Sequence, residues 1–337
     1  MNAKKIDILN IALVIMSLFI AIKLPFELFL FSYAFLGPLH YLTEINWLHK
    51  KKYFSKANNK WTFVLVILSV LISIFPLIRF LNVGFNETTL NFFKSISRYS
   101  STLHLTGFLF AISLIFLKKI NEMIITLMLI ILISIISVKY LPNIIVLIGM
   151  FLPTLVHVYV FTLLFILYGA LKSKSKYGLI LSLMLLVIPV LIYFIPVDYI
   201  NYKLSNSTKQ AFIGSNMRAI ILKIAGFFNE LQQGSFNFLS ETVIRIQIFI
   251  SFAYTYHYLN WFSKTSIIGW KEAINKKNAF LIVFLWILSC SLYIYDFRTG
   301  FVALFFLSVL HVFLEFPLNV FSMKGLFSLV KERNNKQ

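Results

Sequence analysis

Cysteine and acidic side chains are scarce in this sequence. Its 337 residues include one cysteine, Cys290, and 12 Asp and Glu against 31 Lys and Arg. A lone cysteine excludes an intramolecular disulfide and any thiolate-held metal cluster. Charge is thin altogether: 13% of residues are charged, where a soluble domain has about a quarter. Glycine and proline number only 12 and 8. There is no glycine-rich loop to cradle a phosphate, no HExxH zinc motif and no nucleophile elbow. No internal repeat or low-complexity linker breaks the chain, so residues 1–337 read as a single domain.

What the sequence does have is apolar length. Hydrophobic residues make up 59% of it, with a mean hydropathy of +0.85, which predicts an all-α, polytopic integral membrane helix bundle. Ten runs have about the 17–25 residues needed to span a bilayer. They lie near 6–22, 25–45, 61–82, 97–117, 121–140, 144–171, 177–197, 241–263, 279–295 and 299–322. Lys4 and Lys5 before the first run resemble a signal peptide. No small-residue cleavage site follows, so that run is expected to stay as a membrane helix.

The net charge of +19 does not imply a nucleic-acid partner; abundant Lys, Asn, Ile and Phe are what an AT-rich coding bias produces. The distribution of the charge carries more information. With the N-terminus inside, 20 of the 31 basic residues fall on cytoplasmic segments, among them Lys50, Lys51, Lys52, Lys56, Lys60, Lys118, Lys119, Lys172, Lys174, Lys176, Lys264, Lys271, Lys276, Lys277, Lys324 and Lys336. This bias predicts N-in and C-in, in what reads as a bacterial cytoplasmic (inner) membrane. One connection is long, 198–240, and would lie outside. It contains the sequon Asn206-Ser207-Thr208, and Met217 to Gln232 is amphipathic enough for a helix lying on the membrane surface.

Six histidines occur. His49 adjoins the lysine run and reads as interfacial. His40, His104, His157, His257 and His311 each fall on a different even-numbered span, so all five helices run in one direction. Two of them have a glutamate one turn on, Glu44 after His40 and Glu315 after His311, a spacing that puts both side chains on one helix face. Ionisable groups are expensive in hydrocarbon and mark functional sites. Counting helix rise to the first cytoplasmic lysine places His104, His157 and His311 in one layer, 14, 15 and 13 residues from Lys118, Lys172 and Lys324. His40 and His257 fall nearer the cytoplasm. Imidazole with carboxylate suits iron, zinc or manganese, so these five histidines with Glu44 and Glu315 are the candidate metal ligands. Asn260, one turn below His257, could bond a ligand. Trp261 reads as part of the aromatic belt, and Pro38, Pro153 and Pro317 as kinks freeing carbonyls into the cavity.

Gly37-Pro38-Leu39-His40 with Glu44 resembles the first histidine motif of the Brp/Blh-type β-carotene dioxygenases, and His311 with Glu315 is similar to that family's last His-acid element. The family pairs histidines where this chain has the single His257, uses aspartate where it has glutamate, and has fewer spans. The resemblance implies a polytopic membrane enzyme with iron at His40, His257 and His311. Two functions are therefore expected to compete. One is an intramembrane metal-dependent oxygenase or oxidase, iron or another divalent metal its cofactor, acting on an isoprenoid, carotenoid or acyl chain. The other is a transporter or lipid-handling protein with a metal-free, histidine-lined cavity. Membrane lipid and a hydrophobic small molecule are the partners either implies.

Overall fold

A computed structural model of the protein describes residues 3–51, 61–82, 84–141, 143, 146–197, 202–228, 236–264, 269 and 274–334. Lys52, Lys56, Lys60, Lys271 and Lys336, and the part of the expected surface helix from 229 to Gln232, lie outside them. Among the described residues the chain is helical, without a strand. The helices are α1 (Ala3–Lys23), α2 (Pro25–Phe31), α3 (Gly37–Lys51), α4 (Thr62–Leu81), α5 (Glu87–Arg98), α6 (Ser100–Phe116) and α7 (Ile120–Tyr140). They continue as α8 (Thr162–Ser173), α9 (Lys176–Tyr193), α10 (Asn206–Gly214), α11 (Arg218–Phe227), α12 (Glu241–Ser263), α13 (Lys276–Tyr295) and α14 (Phe297–Asn334). Two π-helical segments interrupt this pattern: Ser32–Leu36 joins α2 to α3, and Leu147–Phe161 runs into α8.

Among the described residues seven helices are long and apolar enough to cross a membrane, or eight if α5 and α6, bent by 52°, form one span. Length and composition thus make the chain a multi-pass membrane protein. The two long stretches that fail the test, Pro25–Lys51 and α12, hold the middle of the bundle. From Val243 to Tyr258 only Arg245 and Phe249 of α12 escape burial. The helix packs against α1, α2, α3, α9, α11 and both π segments. A helix screened on all sides by other helices has no need of lipid-compatible side chains, and α12 carries Gln247, Thr255, His257 and Asn260 as buried groups. At the other extreme, α7 buries only Met123, Ile130 and Ser134 and turns Ile125, Met128, Leu129 and Leu132 outward.

The second organising element is α14, which packs on α3, α4, α6, α8 and α13. At about 1.5 Å per residue, its 38 residues outreach a hydrocarbon core about 30 Å thick. Between membrane helices close approach comes from small residues rather than from the hydrophobic effect. Gly107 shows this on α6, where an added Cβ would sit 2.4 Å from Phe313 Cζ.

Pro38 has no N–H for the carbonyl one turn before it. The freed carbonyls do not open into the interior. Trp286 Nε1 donates to the Phe35 carbonyl at 2.9 Å, and Cys290 Sγ lies 3.8 Å from the Ala34 carbonyl. Both belong to α13, so the lone cysteine serves packing here.

The long connection forms two helices where one is expected. Ser205 caps α10 by accepting from Thr208 N at 3.1 Å, so the sequon residues lie in a helical first turn. Tyr202 donates to both Glu27 oxygens, at 3.0 and 2.9 Å, and Thr208 donates at 3.2 Å. Burial, with Glu27 beside it, holds the Tyr202 phenol far above its ordinary range. α11 is not a detached surface helix: Ile220, Ile221 and Ala225 are buried, and it packs on α12.

Candidate metal centre

Four of the five histidines meet. His40 comes from α3, His157 from the long π segment, His257 from α12 and His311 from α14, each no more than 6% exposed. The His40 ring lies 4.7 Å from that of His257 and 5.5 Å from that of His311; His157 lies 5.0 and 5.2 Å from the same two. A π turn widens the helix and is frequent at functional sites. Here one π segment ends just before His40 and the other contains His157.

The polar atoms of the cluster converge. His40 Nε2 is 3.2 Å from His257 Nε2 and 3.2 Å from Glu44 Oε2. His157 Nε2 is 3.4 Å from Glu315 Oε2. Two sets have ligand atoms all within 4.8 Å of one another: His40, His157, His257 and Glu315, and His40, Glu44 and His311. Ligands about 2.0–2.2 Å from one ion lie about 3.0–3.5 Å from their neighbours in tetrahedral or octahedral geometry, and the three closest pairs here, at 3.2, 3.2 and 3.4 Å, have that spacing. Their hydrogen-bonding supports the same fit: both nitrogens of His157, Glu44 Oε2 and Glu315 Oε2 are buried without a hydrogen-bond partner. Buried polar groups seldom stay unpaired.

Neighbours set the orientation. Thr162 Oγ1 lies 2.8 Å from His257 Nδ1, which leaves Nε2 to face the cluster. The Glu44 and Glu315 carboxyl groups line one narrow cleft and act on each other electrostatically, with Asn319 beside Glu315. Two carboxylates in contact away from water require a shared proton or a cation between them. Trp261, expected in the aromatic belt, belongs to this wall: its Nε1 donates to Thr43 Oγ1 at 3.1 Å, and its ring is 5.5 Å from that of His40.

His104 stands apart from these donors. Its Nδ1 is 2.8 Å from the Ser100 carbonyl oxygen, its ring lies 6.1 Å from that of Phe313, and it belongs to neither ligand set. His104, counted into one layer with His157 and His311, is therefore not among the converging donors. His40 and His257, expected nearer one membrane face, are in the cluster with His157 and His311. His49 is exposed.

Protein-family models, curated proteins and solved structures give no match to this chain. The site must be read from its own geometry.

Two cavities meet at the cluster. The larger, about 340 Å³, has His157, His257 and His311 in its wall, with Tyr33, Met150, Ile220 and Phe305 among its other lining residues. Its size suits a small organic molecule, and its wall is mainly apolar, as such pockets usually are. The smaller, about 40 Å³, is lined by His40, Glu44, Glu315, Asn260 and Lys264 among others. His257 borders both. Asn260 Oδ1, buried and without a hydrogen-bond partner, lies in that narrow polar cleft.

Proposed function

We propose that this chain is an intramembrane metal-dependent oxidoreductase that acts on an apolar substrate held in the larger cavity. The observation that carries this reading is the convergence of four buried histidines and two glutamates beside an apolar chamber. His40, His157, His257 and Glu315 would be the ligands of one divalent ion, with Glu44 and His311 beside them rather than on the metal, so that coordination positions stay open. Two carboxylates and a divalent cation sum to zero charge, which suits a site in hydrocarbon far better than bare anions do. Imidazole and carboxylate with open positions favour iron, the metal of non-haem oxygenases, and the motif resemblance around His40 and His311 agrees with oxygen chemistry. The metal would supply a Lewis-acidic, redox-active position. The protein would orient His257 through Thr162, keep water out and hold the substrate against the edge of the cluster that faces the larger cavity.

The same reading makes Pro25–Lys51 and α12 spans nine and ten, with both termini cytoplasmic in a bacterial inner membrane, following the lysine distribution. Elemental analysis of protein purified after growth in metal-replete medium tests the function. Iron or another divalent transition metal near one per chain supports it; a chain without metal, and unable to take up added Fe(II), Mn(II) or Zn(II), overturns it and returns the cluster to transport or packing.

A further inference from the structure

The larger cavity contains one histidine that the metal site does not use. His104 is 5% exposed and shares the cavity wall with His157, His257 and His311. Its Nδ1 lies 2.8 Å from the backbone carbonyl of Ser100, one turn earlier on α6. A carbonyl only accepts, so Nδ1 carries the ring proton, and in the neutral imidazole Nε2 is left with a lone pair. Among the described residues no protein donor reaches that nitrogen. Two hydroxyls of the same wall are spent in the same sense. Thr154 donates to the Met150 carbonyl at 2.5 Å and Ser215 to the Phe212 carbonyl at 2.6 Å. These three groups therefore offer the chamber acceptors, while Tyr33, Tyr254 and Tyr258 bring hydroxyls to other parts of its mainly apolar wall.

We infer that His104 is the specificity-determining acceptor of this cavity and that the substrate is a lipophilic alcohol, its O–H donating to Nε2. The inference rests on the metal-enzyme reading only in calling the bound molecule a substrate. A hydrocarbon of the same shape would leave Nε2 unpaired, and so would an ether or ketone, which has no proton to give it whatever the tyrosine hydroxyls of the wall donate. Either is disfavoured, because a buried polar group left unpaired is costly.

The test uses full-length protein in lipid nanodiscs and two diazirine-bearing photoprobes of equal length, a medium-chain primary alcohol and its methyl ether. Saturable cross-linking to peptides of α6 and of Leu147–Phe161 is read by mass spectrometry. Wild type is expected to half-saturate with the alcohol at roughly tenfold lower concentration than with the ether, one hydrogen bond's worth of discrimination. In His104→Leu the two probes should become equal while bound metal stays at the wild-type level. Equal half-saturation in wild type, or a preference that survives in folded His104→Leu, overturns the inference. If the leucine variant does not fold, the wild-type comparison decides alone. An alcohol preference in a chain that binds no metal would defeat the metal-enzyme reading and still support the hydroxyl site. Stoichiometric metal without the preference would do the reverse.

Discussion

Glu315→Gln is the sharpest perturbation available at the proposed centre. Glu315 is 12% exposed, its Oε2 lies 3.4 Å from His157 Nε2, and its carboxyl shares the narrow cleft with that of Glu44. Glutamine keeps the shape and an oxygen lone pair but removes the negative charge. One unit charge about 4 Å from another is worth about 4 kcal/mol at an effective dielectric near 20, close to 10³-fold in affinity. The amide oxygen can still ligate, so the net loss of metal affinity is expected at about 100-fold. Metal-free protein should be at least as stable as before, because a carboxyl–carboxyl contact becomes an amide–carboxyl one. The assay is dialysis of both proteins against a series of chelator concentrations, with metal per chain measured at each step and thermal unfolding followed on the stripped samples. If wild type and variant lose their metal at the same chelator concentration, Glu315 is no ligand and the charge-neutral site fails with it.

Two further outcomes follow from the same geometry. Thr162→Val removes the 2.8 Å partner of His257 Nδ1 and should lower metal affinity by about 10-fold or more without unfolding the protein, with Thr162→Ser restoring it; unchanged affinity in the valine variant would mean that packing alone orients His257. Reporters fused after Lys174 and near Asn206 should report opposite sides of the membrane, and the same side for both would remove α9 as a span and overturn the proposed orientation.

Much of the scaffold was legible because lipid imposes one simple rule on length and polarity. All ten apolar runs coincide with helices or helix pairs, within a few residues at most ends. The clustering of His40, His157, His257 and His311 was likewise visible as ionisable groups in apolar surroundings. Their pairing was only half visible. Spacing links His40 to Glu44 and His311 to Glu315. His40 and Glu44 do meet, at 3.2 Å, but Glu315 reaches across to His157. Depth counted at a constant rise grouped His104 with His157 and His311, and the three do share one cavity wall, but a count along the axis does not say which way a side chain turns, and His104 stays out of both ligand sets. Thr162 and Asn319 went unnoticed. Asn319 repeats the four-residue spacing after Glu315 and could have been found that way; Thr162 meets His257 only through tertiary packing.

The polarity of α12 and of Pro25–Lys51 ties the composition to the site. Hydropathy ranks these two stretches below every other long helix, so by sequence they are the weakest candidates to cross a membrane. They also supply His40, Glu44 and His257, together with Trp261 and Asn260 in the wall of the narrow cleft. The apolar cost of carrying such groups is tolerable only for helices that other helices shield from lipid, and α12 is buried along nearly its whole length. The outer helices can afford the opposite composition: α7 and α13 bury three residues each and face outward with Ile, Leu and Phe. Low hydropathy in an otherwise apolar chain thus marks the interior, and the interior is where the ligands are.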